Sequence, residues 1–233
     1  AVIWTTTPWT LPGNRAMAFA ANLSYGVYQA GNDKLVLCDS LADQVMQTAG
    51  IETYARLQDI DPSTLTCKHP LAEQGYDFDV PLLAGDFVTD ETGTGLVHIA
   101  PGHGQDDFEL GMKHGLNVPF TVNEAGVYYD DVPVFAGARV LDDKGKDGSA
   151  NGAVIGALVE ADRLLAKGKL RHQYPHSWRS KAPLIFRNTP QWFISMEKTG
   201  IRDKALAAID DVTWYPKTGR NRIYAMIENR PDW

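Results

Sequence analysis

The sequence predicts an α+β protein with a mainly antiparallel, β-barrel-like core and peripheral helices. Three observations point there. Short runs rich in β-branched and aromatic residues recur along the chain, each bounded by Gly, Pro or Asp. Two of them, Gly26–Ala30 and Lys34–Cys38, flank Gly31-Asn32-Asp33 at hairpin spacing. Helical periodicity is confined to a few segments, so strands set the architecture. With 233 residues and 44% hydrophobic content, the chain is long and apolar enough to bury a sizeable core.

In chain order, Val2-Ile3-Trp4 reads as a strand that runs into Thr5-Thr6-Thr7. Three β-branched residues in a row disfavour helix, and Pro8 and Pro12 bar a regular continuation. Met17–Ala20 is the next strand, followed by the hairpin. Ser40 reads as the cap of a helix over Leu41–Gln47 that Gly50 ends. Strand-like pieces follow at Thr53–Leu57, Leu65–His69 and Pro81–Val88. The apolar run after Gly95 then ends on His98, at the end of a strand, and passes into a loop punctuated by Pro101, Gly102 and Gly104. Asp106 is placed to cap a helix through Asp107–His114. Pro119–Val122 and Gly126–Tyr129 read as strands, and Asp142–Ser149 has the composition of a mobile turn. Val154, Leu158, Ala161, Leu164 and Leu165 share one face of a helix over Ala153–Lys167, with Gly168 as its stop. A strand at Pro183–Arg187 and a helix at Ile201–Asp210 close the series. The expected organisation is one domain over 1–233, excised from a larger protein, with about 170–233 including a return arm toward the parent.

Charge and cysteines narrow the function classes. No apolar run approaches the roughly 18 residues of a membrane span, and the N-terminus does not resemble a signal peptide. Cys38 and Cys67 are far apart and show neither a disulfide framework nor a zinc pattern, which fits a reducing cytoplasm. The net charge of −7 argues against a free-standing nucleic-acid binder. Its distribution is uneven. From Arg163 to Met196 there are seven basic residues, Lys169 and Arg171 among them, and no acid, so one segment is suited to a phosphate backbone.

The chemistry-bearing stretches are Gly93–Phe108 and Trp4-Thr5-Thr6-Thr7-Pro8-Trp9-Thr10-Leu11-Pro12-Gly13-Asn14-Arg15. Glycines admit close backbone approach, and loops held by rigid elements concentrate binding chemistry. Together the two stretches resemble the editing domain (connective peptide 1) of isoleucyl-tRNA synthetase, a class I enzyme. Pro175–Pro183 and Gln191-Trp192-Phe193 resemble that domain's return segment, so the likeness runs along essentially the whole chain. The uninterrupted Thr-Thr-Thr-Pro-Trp-Thr run favours the isoleucyl branch over valyl and leucyl relatives.

The resemblance implies hydrolysis of valyl-tRNA(Ile), the mischarged product. In this family one missing methylene is the standard example of a difference worth only about 1–3 kcal/mol, which calls for a second, hydrolytic sieve. Asp107 matches the aspartate that holds the substrate's α-ammonium, and His98 the histidine that lines the amino-acid pocket. Thr5, Thr6 and Thr7 match the hydroxyls that orient water, ester and ribose, and Asn14 a hydrogen-bonding support. Trp9, His103 and Asp106 belong to the same substrate-binding segments. The threonines are poor nucleophiles, since none is N-terminal and no adjacent base is visible. No metal or cofactor is expected, and ATP serves only the absent catalytic domain, because neither the His-Ile-Gly-His-type nor the Lys-Met-Ser-Lys-type motif is present. Expected partners are valine-charged tRNA(Ile), free valine or valyl-adenylate analogues, and the rest of the synthetase. Two alternatives stay open: a non-catalytic tRNA-binding module, and a metal-dependent hydrolase using His98, His103, Asp106 and Asp107.

Overall fold

Strand β1, Ala16–Phe19, is buried along its whole length because both of its faces are covered. Met17 and Phe19 pack with Tyr25, Leu41, Leu82 and Leu96 on one face. The small side chains of Ala16 and Ala18 meet Ile99, Val88 and Leu110 on the other. This strand lies inside a four-stranded sheet of order β5-β6-β1-β7, with β5 Thr66–Lys68, β6 Asp79–Ala84 and β7 Leu96–Ile99. Its register with β7 is antiparallel, Met17 opposite His98, while its pairing with β6 is parallel, Met17 opposite Leu82. A second, antiparallel sheet has order β3-β2-β4, from β2 Tyr25–Ala30, β3 Asp33–Cys38 and β4 Tyr54–Asp59. The computed structural model describes residues 1–168 and 173–233. Contacts divide the chain into two units, Ala1–Asn188 and Thr189–Trp233.

The α+β class holds, and no closed barrel is seen among the described residues. Among the described residues the sheets are two open ones, and one is mixed. Parallel pairing joins strands far apart in the chain, so local periodicity cannot reveal it. Val2–Trp4 is not a strand but a single bridge, Trp4 to Val97. Pro119–Val122, Gly126–Tyr129 and Pro183–Arg187 are likewise reduced to isolated bridges. Their apolar residues reflect burial rather than a ladder: Val122 and Tyr128 sit in the core with Phe135, Val140 and Val154.

Three helices differ from the expected limits. Ser40 lies within a 3-10 turn, Asp39–Leu41, and α1, Ala42–Thr48, starts after it with Leu41 at the N-cap. Helix α2, Gln105–Lys113, is entered from Gly104, so Asp106 falls inside the first turn and is not the cap. Helix α3 is Ser149–Glu160 and ends well before Gly168. Asp162 takes the left-handed conformation, φ 54°, and the Arg163 N–H bonds to Leu158 O at 2.8 Å. That closing geometry is ordinarily supplied by glycine. Asp142 Oδ1 accepts from the N–H groups of Lys144 and Lys146, both at 2.8 Å, so the charged turn is tied to itself.

In the second unit, α4 is Ile201–Asp210, with the limits the sequence predicts, and α5, Gly219–Glu228, was not anticipated. Arg202 Nη1 links them, donating to Ile227 O and Glu228 O at 2.8 Å.

Candidate functional site

The threonine run leads into a 3-10 helix, Pro8–Gly13, whose N-cap residue is Thr7. Thr5 and Thr7 are half-buried and Thr6 is exposed. Thr5 Oγ1 accepts from the Thr7 N–H at 3.1 Å, and the two hydroxyl oxygens lie 3.4 Å apart. The helix itself is gripped from several directions. The Trp9 N–H donates to Asn151 Oδ1 at 3.0 Å, and Tyr128 Oη donates to Trp9 O. His69 Nδ1 accepts from the Leu71 N–H, so its other nitrogen carries the proton and donates to Leu11 O at 3.1 Å. Trp9 itself is buried, edge-on to the His103 ring at 4.9 Å.

His98 sits on β7 with only 7% exposure, and its partners fix its tautomer. Asn14 Nδ2 donates to Ala16 O at 2.9 Å and also lies 3.2 Å from His98 Nδ1, which must therefore accept. Nε2 then carries the proton and donates to Thr10 Oγ1 at 2.8 Å, and that hydroxyl donates onward to Thr7 O at 2.9 Å. Burial, with His103 and His69 adding to it, pushes the His98 pKa down to about 4. The ring is neutral and both nitrogens are spent on framework.

His103 is built the same way. Its Nδ1–H donates to Phe186 O at 2.9 Å, leaving Nε2 to accept from the Thr121 hydroxyl at 2.6 Å. Burial lowers its pKa. It closes the Pro101–Gly104 loop against residues distant in sequence.

Asp107 differs. It is half-buried, near the start of α2, and its Oδ2 accepts from the Ala100 N–H at 2.8 Å, immediately after β7. Burial first, then neighbouring Asp106, raises its pKa to about 6, against the pull of that N–H. A carboxyl so placed is desolvated and has no cationic partner among the described residues, a state that favours an incoming cation. Asp106 is exposed.

The structure therefore ties His98, Asn14 and the threonine run into one network and holds Asp107, eight residues beyond β7, against the Ala100 N–H that directly follows the strand. Thr10, His69, Thr121, Tyr128 and Asn151 were not singled out by the sequence. Thr10 and Thr121 carry a faint signal, as polar residues between apolar neighbours; the others act across contacts no local pattern reports. The Gly93–Gly95 turn that starts β7 leaves no choice at Gly95, whose φ is +73° and whose absent Cβ would lie 2.2 Å from Cys38 Cβ. A surface cavity of about 580 Å³ opens elsewhere, lined by Tyr25, Asp39, Ile60 and Asp61 among others, and shares no residue with this network. Among the described residues no three His, Cys, Asp or Glu side chains converge in a metal-binding arrangement. No helix of the described chain is long and apolar enough to cross a membrane.

Comparison with known proteins places this geometry in a family. The sequence model of class I tRNA synthetases (I, L, M and V) matches residues 27–233. Isoleucine--tRNA ligase of Bradyrhizobium diazoefficiens is 49% identical over 267 residues, covering 100% of this chain and 27% of that protein. The corresponding protein of Rhodopseudomonas palustris is 48% identical with the same coverage, and that of Syntrophotalea carbinolica is 48% identical over 235 residues, 24% of its length. The chain thus spans about a quarter of the relatives it matches. A solved structure described as GlLeuRS-CP1 aligns with 67% of this chain and 64% of its own at a TM-score of 0.42 and 17% identity, too loose a likeness to carry the fold. The family match over most of the chain and the whole-chain identity to isoleucine--tRNA ligases lead to one conclusion: this chain belongs to the class I tRNA synthetases.

Proposed function

We propose that this chain is a hydrolytic editing module that cleaves the aminoacyl ester of valyl-tRNA(Ile). The observation that carries the reading is the desolvated carboxyl of Asp107, tethered to the residue that follows β7, the strand to which Trp4, the residue before the Thr5–Thr7 run, is bridged at Val97. An aminoacyl ester is already activated, so positioning a water and stabilising the developing charge suffice. In the proposed reaction, water adds to the ester carbonyl carbon, the bond to the ribose oxygen breaks, and the proton given up by water ends on that oxygen. Valine and uncharged tRNA leave. Asp107 holds the α-ammonium, Thr5, Thr6 and Thr7 orient water, ester and ribose, and Trp9, Asn14, His98 and His103 keep the segments in register. Asp106, at the exposed helix start, makes the smaller contribution.

Selection of valine over isoleucine is steric in this account. Burying one more CH₂ is favourable by about 0.8 kcal/mol, so affinity alone would choose the wrong ester. Overfilling a fixed wall costs about 1–3 kcal/mol and reverses that choice. His98, fixed at both nitrogens, is such a wall. The working partners are charged tRNA(Ile), valine or a valyl-adenylate analogue, and the remainder of the synthetase, in the cytoplasm, with no cofactor. The basic stretch 163–196 serves the tRNA backbone; Lys169 and Arg171 of that stretch lie outside the described residues.

The test is to incubate the 233-residue chain with valyl- and isoleucyl-tRNA(Ile) and follow each ester. Valyl ester should disappear well above the uncatalysed rate while isoleucyl ester persists. Binding without loss of either ester would replace this reading with that of a tRNA-binding module.

A further inference from the structure

A helix that begins with a threonine ordinarily spends that hydroxyl on itself. The side chain at the N-cap accepts from the N–H two or three positions on, because no backbone carbonyl is available there. Thr7 holds this position before Pro8–Gly13 yet makes no side-chain capping bond. Pro8 has no N–H, and the Thr10 N–H is taken by Thr7 O at 2.9 Å. The Trp9 N–H is therefore the donor that Thr7 Oγ1 would normally satisfy. It is satisfied instead by Asn151 Oδ1 at 3.0 Å, from a residue 142 positions away.

Asn151 is well held for that task. It lies in the first turn of α3, whose Ala150, Val154 and Ala157 pack in the same core as Trp9 and Leu11. Its Nδ2 donates to Asp147 Oδ1 at 3.4 Å, which turns Oδ1 toward Trp9. Tyr128 Oη holds the opposite end of the same residue, at Trp9 O.

We propose that Asn151 is a surrogate N-cap that leaves the Thr7 hydroxyl available to the ester, and so is a positioning residue of the site. This rests on the editing reading above. Without Asn151, the Trp9 N–H turns to the acceptor that an N-cap ordinarily supplies, Thr7 Oγ1. That rotation takes the hydroxyl away from Thr5 and from substrate.

The experiment compares single-turnover hydrolysis of valyl-tRNA(Ile) by the wild-type chain and by Asn151→Leu, each shown folded by thermal unfolding. The variant should lose about tenfold to a hundredfold in the chemical step, as expected for a misplacement on the order of 1 Å, with KM little changed. In a Thr7→Val background the same substitution should add no further loss, because the hydroxyl it misdirects is already gone. Asn151→Asp combined with Asp147→Asn, which keeps an acceptor for Trp9 and a donor behind it, should recover the rate. Should Asn151→Leu fail to fold, Asn151→Ser, too short to reach Trp9, carries the same expectations. A wild-type rate in the variant, or an equal loss in the Thr7→Val background, overturns the inference alone. A wild-type chain that hydrolyses neither ester overturns the editing reading and this inference with it.

Discussion

The buried cluster of Thr10, His98 and Asn14 differs from the half-buried Thr5, Thr7 and Asp107 in how fully the fold satisfies its polar groups. In the first group three buried polar residues satisfy one another, and the His98 ring is neutral with both nitrogens engaged. A ligand bond there would have to displace an existing one. In the second group the hydroxyls and the carboxyl are half-buried, Asp107 accepts from the Ala100 N–H with no cationic partner among the described residues, and its pKa has risen to about 6 through burial. The contrast teaches that shape and chemistry are divided between the two groups. A neutral framework fixes where groups stand, and in the proposed editing reaction the less satisfied groups meet substrate.

The largest expected effect comes from removing the charge in the second group. Asp107→Ala should nearly abolish deacylation, since leaving a buried ammonium unpaired costs on the order of 2–5 kcal/mol. Asp106→Ala, at an exposed position, should be far milder. Kinetics of both folded variants decide it, and full activity in Asp107→Ala would remove the assignment.

The framework should show itself in stability. His69 and His98 are held near 4 by burial, against an ordinary value of 6.5. The folded state thus binds protons less readily than the unfolded one, so the stability these rings contribute is complete above about pH 6.5 and is lost as pH falls toward 4, by on the order of a few kcal/mol. Asp107 works in the opposite sense. Its raised pKa adds stability below its unfolded value, which is lost as pH rises through about 6. Two histidines outweigh one carboxyl, so the urea midpoint should drop between pH 7 and 4.5, and an unchanged midpoint would contradict the neutral framework.

Activity should follow the other group. If the Asp107 carboxylate holds the ammonium, hydrolysis falls as pH drops below about 6, by about tenfold per unit, and this limb disappears in Asp107→Asn. A rate flat from pH 7 to 5 would separate Asp107 from the chemistry. The smallest expected effect is that of a chelator: deacylation should survive it, with magnesium controlled separately for tRNA folding, and restoration of a lost rate by zinc or manganese would favour the metal-hydrolase alternative.

What the sequence made legible follows the same divide. Local signals placed the Gly31-Asn32 hairpin, the strand carrying His98 and the helix Ile201–Asp210, because turn chemistry and periodicity act over a few residues. Long-range choices were hidden. Nothing near Met17 announces a parallel partner at Leu82, and nothing near Trp9 announces Asn151. The end of α3 was missed because an aspartate, not a glycine, takes the left-handed position. Asp106 looked like a cap because its residue type suits one, yet Gly104 opens the helix and leaves Asp107 free to reach back to Ala100. Motif resemblance supplied the candidate residues; only the hydrogen-bond network separated those that brace from those that face outward.

The division between shape and chemistry is tested most directly by His98→Ala, assayed as a folded variant on valyl- and isoleucyl-tRNA(Ile) side by side. A structural wall predicts that the variant keeps much of its valyl-tRNA activity and begins to hydrolyse the correctly charged isoleucyl ester. Loss of valyl-tRNA hydrolysis with no gain on isoleucyl-tRNA would make His98 part of the chemistry and contradict the account.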